Sequence, residues 1–359
     1  MTDTLPQRTI DPDKLMSFVF RAVDEVGATL NTALVVMGDQ LGYYTAMADG
    51  RPITPAELAE RTSTSEPYAR EWLNNQAAGG YVEYDAEARR YTLPAEHAVA
   101  LADPTSPAYL PGFFQLALGT VRDAPDIYSA ARDGDGLGWH AHNGDVHHGC
   151  ERFFRTMYNG HLLTEWIPAL EGVQAKLEAG ARVADVGCGH GASTILLAKA
   201  FPRSTFVGSD YHEGSIEVAR ERARAAGVQD RVRFEVASAT EFTGTGYDLI
   251  AVFDALHDMG DPVGAARHVR SAIADDGTWM VVEPMAGDHV EDNLTTVGRA
   301  FYGFSTLLCT PASLSQDVGL ALGTQAGPAK IRDVSTAAGF TGFRTAATTP
   351  FNNVFEVRP

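Results

Sequence analysis

Apolar residues between about Lys14 and Gly42, among them Leu15, Phe18, Val19, Ala22, Val23 and Val26, recur at helical spacing. They predict a long amphipathic helix with room for one break. Thr54-Pro55-Ala56-Glu57 then reads as a helix start, with Thr54 as cap, Pro55 at the first helical position and Glu57 returning a bond to the cap. A further helix fits Ser65 to Ala78, closed by Gly79-Gly80. Tyr81-Val82-Glu83-Tyr84 and Arg90-Tyr91-Thr92-Leu93, joined by a turn around Asp85, form a two-stranded wing. Two helices and a wing predict a winged-helix domain, mainly α, over residues 1–105.

From Tyr109 to Leu177 the pattern is again helical, interrupted by Asp133-Gly134-Asp135-Gly136-Leu137-Gly138, and residues 106–180 are expected to link and cover the next domain. Beyond Arg182 the texture changes to short apolar β-rich runs alternating with amphipathic helices. That alternation predicts a parallel α/β sheet over 181–359. Gly342–Ala346 and Asn353–Val357, joined at Thr349-Pro350, read as a final pair of strands.

A chain of 359 residues is long enough for two cores. Its formal charge of −18 disfavours polyanionic partners, because phosphate backbones are held by clustered Lys and Arg. Residues 41–100 carry five Arg, no Lys and nine Asp or Glu, net −4, which is a poor surface for a DNA groove. Neither nucleic acid nor membrane is an expected partner. Met1 to Lys14, with Asp3, Asp11 and Asp13, lacks the apolar core of a secretory signal, and no segment reads as membrane-spanning. The three cysteines, Cys150, Cys188 and Cys309, lack disulfide or metal-type spacing, so a reducing cytoplasm and no metal are expected. Four histidines, His140, His142, His147 and His148, fall close together in what reads as a loop, without a carboxylate or cysteine at ligand spacing.

The chemistry concentrates after residue 182. Val183–Val186 is a buried strand that carries Asp185 and empties into Gly187-Cys188-Gly189-His190-Gly191, a turn whose glycines let backbone approach a ligand. The next strand ends at Ser209-Asp210-Tyr211, which puts Asp210 where the ribose of an adenosine cofactor needs an acceptor, with Tyr211 beside it. After a third strand, Ser238 and Ala239 stand in the loop where adenine would be met. Asp248–Phe253 is a further buried strand, and Phe253 at its end is grouped with the cofactor contacts. Asp261-Pro262 starts the following helix as cap and first residue, so His257 falls in the loop between them, on the ligand-binding edge of the sheet.

These pieces together resemble the small-molecule O-methyltransferases that join a winged-helix dimerisation domain to a class I, Rossmann-like catalytic domain. The resemblance spans about residues 30–359 and rests on Asp185–Gly191, Leu256-His257-Asp258-Met259-Gly260-Asp261, Val282-Glu283-Pro284 and Ala338-Gly339-Phe340. It implies a seven-stranded sheet ending in an antiparallel hairpin, S-adenosyl-L-methionine as cofactor, a small-molecule acceptor and a homodimer. It also implies His257 as general base with Glu283 orienting it. Two departures stand out: the second flanking acid falls on Gln325, and Ser238 replaces an adenine-binding Asp. Phe153, Met157 and Tyr158 on one helix, and Phe301 and Phe304 on another, are candidates for an apolar acceptor pocket, with core packing the alternative for each.

Other readings stay open. N-, C- or S-methylation and non-methylating chemistry suit the same fold. An NAD(P)-dependent oxidoreductase would use Gly187–Gly191 and Asp210 but leave the His257 segment and the terminal hairpin idle. A cofactor-sensing regulator would use the winged helix on DNA.

Overall fold

The computed structural model describes residues 9–359, so Met1–Arg8, part of the segment read as lacking a secretory signal, lies outside the described residues. The chain divides into two compact units, residues 9–104 with 109–115, and residues 105–108 with 116–359.

The first unit opens with one unbroken helix, Pro12–Gln40, capped by Asp11, whose carboxylate accepts from the Asp13 and Lys14 amides. The break allowed for within this helix is absent, and only after the turn at Leu41-Gly42 does the short helix Tyr43–Met47 follow. Thr54 and Glu57 form the full capping box ahead of helix Pro55–Thr62, and helix Glu66–Ala78 follows. Strands β1 (Glu83–Asp85) and β2 (Arg90–Thr92) pair antiparallel as the wing. Trp72 anchors this core, edge-on to Tyr43 and Tyr44 at 4.9 and 5.0 Å. Gly38 lies so close to Trp72 that a Cβ would meet its ring at 2.5 Å, which leaves room only for glycine. Arg70, the basic residue of the helix in the recognition position, is engaged by Glu66 and Glu71 at 3.2 Å each.

The second unit is built on seven strands: β3 (Arg182–Val186), β4 (Thr205–Asp210), β5 (Val232–Val236), β6 (Tyr247–Phe253), β7 (Ile273–Pro284), β8 (Gly342–Thr348) and β9 (Asn352–Arg358). Their order is β5-β4-β3-β6-β7-β9-β8, parallel except for β9, which runs antiparallel to both β7 and β8. The order reverses direction at β3, where chain progress switches from one side of the sheet to the other. That switch opens a crevice at the carboxyl ends of β3, β4 and β6. Apolar residues of both sheet and helices, including Ile250, Val252, Trp279, Val281, Ile331 and Phe355, form the continuous core beneath that edge. Of the segment 106–180, expected to link and cover the sheet domain, residues 106–108 and 116–180 belong to this unit.

One local expectation changes. His147 and His148 lie in helix Gly144–Met157 and not in a loop, because Asn143 caps that helix by accepting from the Asp145 amide. Apolar spacing was a poor guide there, since polar side chains fill the helix's first turns. Among the described residues, no helix is long and apolar enough to cross a membrane.

Candidate functional site

The crevice begins with the glycine turn after β3. Gly187, Gly189 and Gly191 all take left-handed φ values, 76°, 50° and 75°, that disfavour a side chain. A Cβ on Gly187 would come within 2.9 Å of Ala255, whereas Gly189 faces open space. The turn is tied to β4, because the Gly187 and Cys188 amides donate to the Ser209 carbonyl at 2.8 and 3.0 Å. Asp210 fastens it further, its Oδ2 accepting from the Gly189 amide and its Oδ1 from the His212 amide, each at 2.9 Å. Burial raises the Asp210 pKa, and these two amides pull against that rise.

Asp185 sits one layer below and is buried. Its Oδ2 accepts from Ser193 and Thr194 hydroxyls at 2.6 and 2.5 Å, while its Oδ1 is buried without a partner. Burial pushes its carboxyl up to about 6, against the pull of those hydroxyls. Tyr211 is partly exposed, and burial together with the Asp210 charge raises its phenol to about 12. Ala237 joins this edge through its amide, which donates to the Asp210 carbonyl at 3.0 Å. Ser238 bonds to Glu241 and Thr240 at 3.0 Å, and Ala239 packs against the core.

The second pole lies at the ends of β6 and β7. Leu256–Asp258 form one 3-10 turn, and Asp261 then caps the next helix by accepting from the Gly264 amide at 2.7 Å. His257 is only 3% exposed and Glu283 only 1%. His257 Nδ1 lies 2.5 Å from Glu283 Oε2, while Oε1 of the same carboxylate accepts from the Leu256 amide at 3.1 Å. Glu283 therefore fixes both the ring and the turn that carries it. His257 Nε2 faces Asp258 Oδ1 at 3.2 Å. Burial opposes a charged imidazole here, but the Glu283 and Asp258 carboxylates override it and hold the pKa well above the usual histidine value.

Asp254, which sequence reasoning missed, stands between the poles in a left-handed conformation with φ of 48°. Asn352, nearly a hundred residues away, donates to its Oδ1 at 2.7 Å, and its Oδ2 is buried without a partner. Burial, then the nearby Glu283 charge, raises its carboxyl well above the ordinary range. A non-glycine residue at positive φ beside a strand end was the only local signal, and it is invisible without coordinates.

The aromatic candidates divide. Phe253 at the end of β6 packs against Tyr158 at 5.2 Å, and Phe153 approaches Phe351 edge-on at 6.0 Å. Met157 is buried on the same helix as Phe153. Phe304 joins Val146, Leu308 and Cys309 in a small cluster, whereas Phe301 is buried and its carbonyl accepts from Thr324. Tyr158–Trp166 and Ser305–Cys309 are wound as π-helix, a rare geometry frequent at functional sites. Gln325 is buried, with Nε2 on the Thr324 carbonyl at 3.3 Å and Oε1 unpartnered.

The clustered histidines also gather here. His147 stacks on His212 at 4.9 Å, and His148 approaches His190 of the glycine turn at 5.8 Å. Burial, aided by the facing His212, lowers the His147 pKa to about 4. Burial and Arg222 lower His190 to about 4 as well. His142 is held by Asp123 at 2.8 Å.

Comparison with known proteins agrees with this fold. Residues 29–103 match the family described as an Rv2258c-like winged HTH domain, and residues 177–318 match a methyltransferase domain. The methyltransferase GfsG of Streptomyces halstedii is 29% identical over 132 residues, 36% of this chain and 47% of that protein. The 27-O-demethylrifamycin SV methyltransferase of Amycolatopsis mediterranei is 38% identical over 87 residues, 24% of this chain and 32% of that one. The chain thus spans less than half the length of these curated relatives. Among solved structures, a putative O-methyltransferase from Nostoc punctiforme superposes with a TM-score of 0.71 at 22% identity, covering 98% of this chain and all of that one. Human N-acetylserotonin methyltransferase, solved with S-adenosylmethionine, gives a TM-score of 0.71 at 13% identity and covers 99% of both chains. The winged helix-turn-helix match thus lies in the first unit, and the methyltransferase-domain match lies in the unit that carries the seven-stranded, hairpin-terminated sheet.

Proposed function

We propose that the protein is an S-adenosylmethionine-dependent methyltransferase acting on a hydroxyl of a small molecule, with His257 as general base. The observation that carries this reading is the buried His257–Glu283 pair at 2.5 Å, on the same sheet edge as the glycine turn and Asp210.

The residues present suit the cofactor. Asp210 can take ribose hydroxyls on oxygens already oriented by two amides. The open space over Gly189 admits the nucleoside, and the unpartnered Asp185 Oδ1 supplies a buried negative site for an ammonium. Tyr211, Ser238 and Ala239 would border the adenine, and Phe253 with Tyr158 would wall the reacting end. When bound, the cofactor supplies an electrophilic methyl on a sulfonium.

His257 Nε2 would take the proton of the acceptor hydroxyl as its oxygen becomes nucleophilic. Glu283 holds the Nδ1 proton and stabilises the imidazolium that results. Most of the acceleration would come from orientation, and the base would add about 10²-fold to 10⁴-fold. Phe153, Met157, Tyr158, Phe301 and Phe304 would give the acceptor its apolar surroundings.

Assembly is read as a homodimer. Phe18, Phe20, Val23, Val26 and Leu30 on helix Pro12–Gln40 are each more than 60% exposed, an apolar stretch of the kind that marks an interaction surface. The free cysteines suit a cytoplasmic enzyme.

Calorimetric titration with S-adenosylmethionine, beside NADH, tests the cofactor. Micromolar binding of the first that weakens in Asp210→Ala supports the reading, and binding of NADH alone overturns it. Demethylated cofactor accumulating only when an acceptor is added then distinguishes methyl transfer from other uses of the fold.

A further inference from the structure

His257 Nε2, Asp258 Oδ1 and the Cys309 thiol converge to within 4.8 Å of one another. We propose that they form a binding site for a divalent metal ion of borderline softness, of the zinc class. The donor set is one imidazole nitrogen, one thiolate and one carboxylate, which leaves a fourth position for water, as in open zinc sites. Ligands held at ~2.0–2.3 Å around a tetrahedral ion lie roughly 3.3–3.8 Å apart, so the observed triangle needs only a small contraction.

Two further observations point to a cation. Glu283 faces the other ring nitrogen at 2.5 Å, the carboxylate–histidine arrangement that fixes a metal-bound imidazole with its Nε2 lone pair outward. Asp258 Oδ1 is buried 3.2 Å from His257 Nε2, so two of the donors already face one another. Asp258 and Glu283 set a carboxylate on each side of the ring, and the Asp258 side chain, 24% exposed, gives an ion its way in. Sequence spacing hid the site, because Cys309 comes from the π-helical turn Ser305–Cys309, about fifty residues beyond the 3-10 turn that carries its partners. The expectation of no metal rested on the number and spacing of the cysteines and on the histidine cluster at 140–148.

Binding would release the thiol proton and the Nε2 proton of the imidazolium to solvent and place the ion on Nε2. Where His257 is the base, a loaded site and an active site then exclude each other. Only that consequence rests on the methyl-transfer reading, and the metal site itself does not.

The test is titration of the full-length, reduced protein with Co²⁺, which reports a thiolate ligand by a charge-transfer band without any turnover. The expected result is a band that saturates at a single equivalent, vanishes in Cys309→Ser, and shifts to about 10- to 100-fold weaker affinity in Glu283→Gln. No band up to millimolar Co²⁺, or a band unchanged in Cys309→Ser, overturns the proposal. Should that variant not fold, unchanged Co²⁺ affinity in both Asp258→Asn and Glu283→Gln overturns it equally. Zn²⁺ that displaces Co²⁺ and suppresses methyl transfer in the wild type would add the inhibitory consequence.

Discussion

Buried polar groups are handled in opposite ways in the two units. In the first, Tyr44 donates to Gln76 at 2.6 Å, and Gln76 donates in turn to Asn31 at 2.7 Å. The Trp72 indole donates to the Leu34 carbonyl at 2.8 Å. Among the described residues of that unit, no buried side-chain polar atom lacks a partner. Along the open edge of the second unit, Asp185, His190, Asp254 and Asp258 each keep a buried atom without one. A folded chain rarely leaves such atoms orphaned, since each costs about 1–3 kcal/mol. The saturated network specifies a fold, while the atoms left open along the edge are available to a group that is not part of the chain.

That contrast can be broken most sharply at His257. His257→Ala should lower turnover by about 10²-fold to 10⁴-fold while leaving cofactor affinity within a few-fold, as single-turnover kinetics and calorimetry would show. A variant that keeps most of its turnover would return His257 to a structural role. In the saturated unit the loss should instead be one of stability. Trp72→Ala should cost about 3–5 kcal/mol by denaturant unfolding of the winged-helix unit, because it empties the centre of a close-packed core. Asp210→Ala removes a carboxylate held by two amides, and cofactor binding should weaken by about 10- to 100-fold. Retained affinity there would show that the ribose is held elsewhere.

The pH dependence sharpens the contrast further. The carboxylates around His257 favour its protonated form, so on the proposed mechanism the imidazole is a base only at higher pH and kcat/KM should rise with pH through a limb above the ordinary histidine range. Glu283→Gln removes the charge that favours the imidazolium, so this limb should move to lower pH while the maximal rate falls. A limb unmoved in Glu283→Gln would separate the pair functionally. The smallest effect is expected at Ser238, whose hydroxyl bonds only to its own loop, so Ser238→Ala should change stability by less than about 0.5 kcal/mol.

The first and second poles of the site were unequally legible. Gly187, Gly189, Gly191, Asp185 and Asp210 could be placed from sequence because a strand, a glycine turn and a helix occur in that order within about thirty residues. His257 and Glu283 could be paired only through resemblance, since their contact joins two strand ends 26 residues apart. Asp254 with Asn352, and Cys309 with His257, were not legible. Their partners come from β9 and from a π-helical turn, and nothing in the local pattern announces either meeting. The histidines at 147 and 148 were misplaced because a polar capped helix start looks like a loop.

By itself the sequence determined the alternation of strand and helix, the winged-helix signals and the terminal hairpin, since periodicity, caps and turn residues act over a few neighbours. Only the tertiary structure decided which buried atoms are satisfied and which are left facing the crevice. Satisfaction depends on where distant side chains meet, and that is set by sheet order and packing rather than by local pattern.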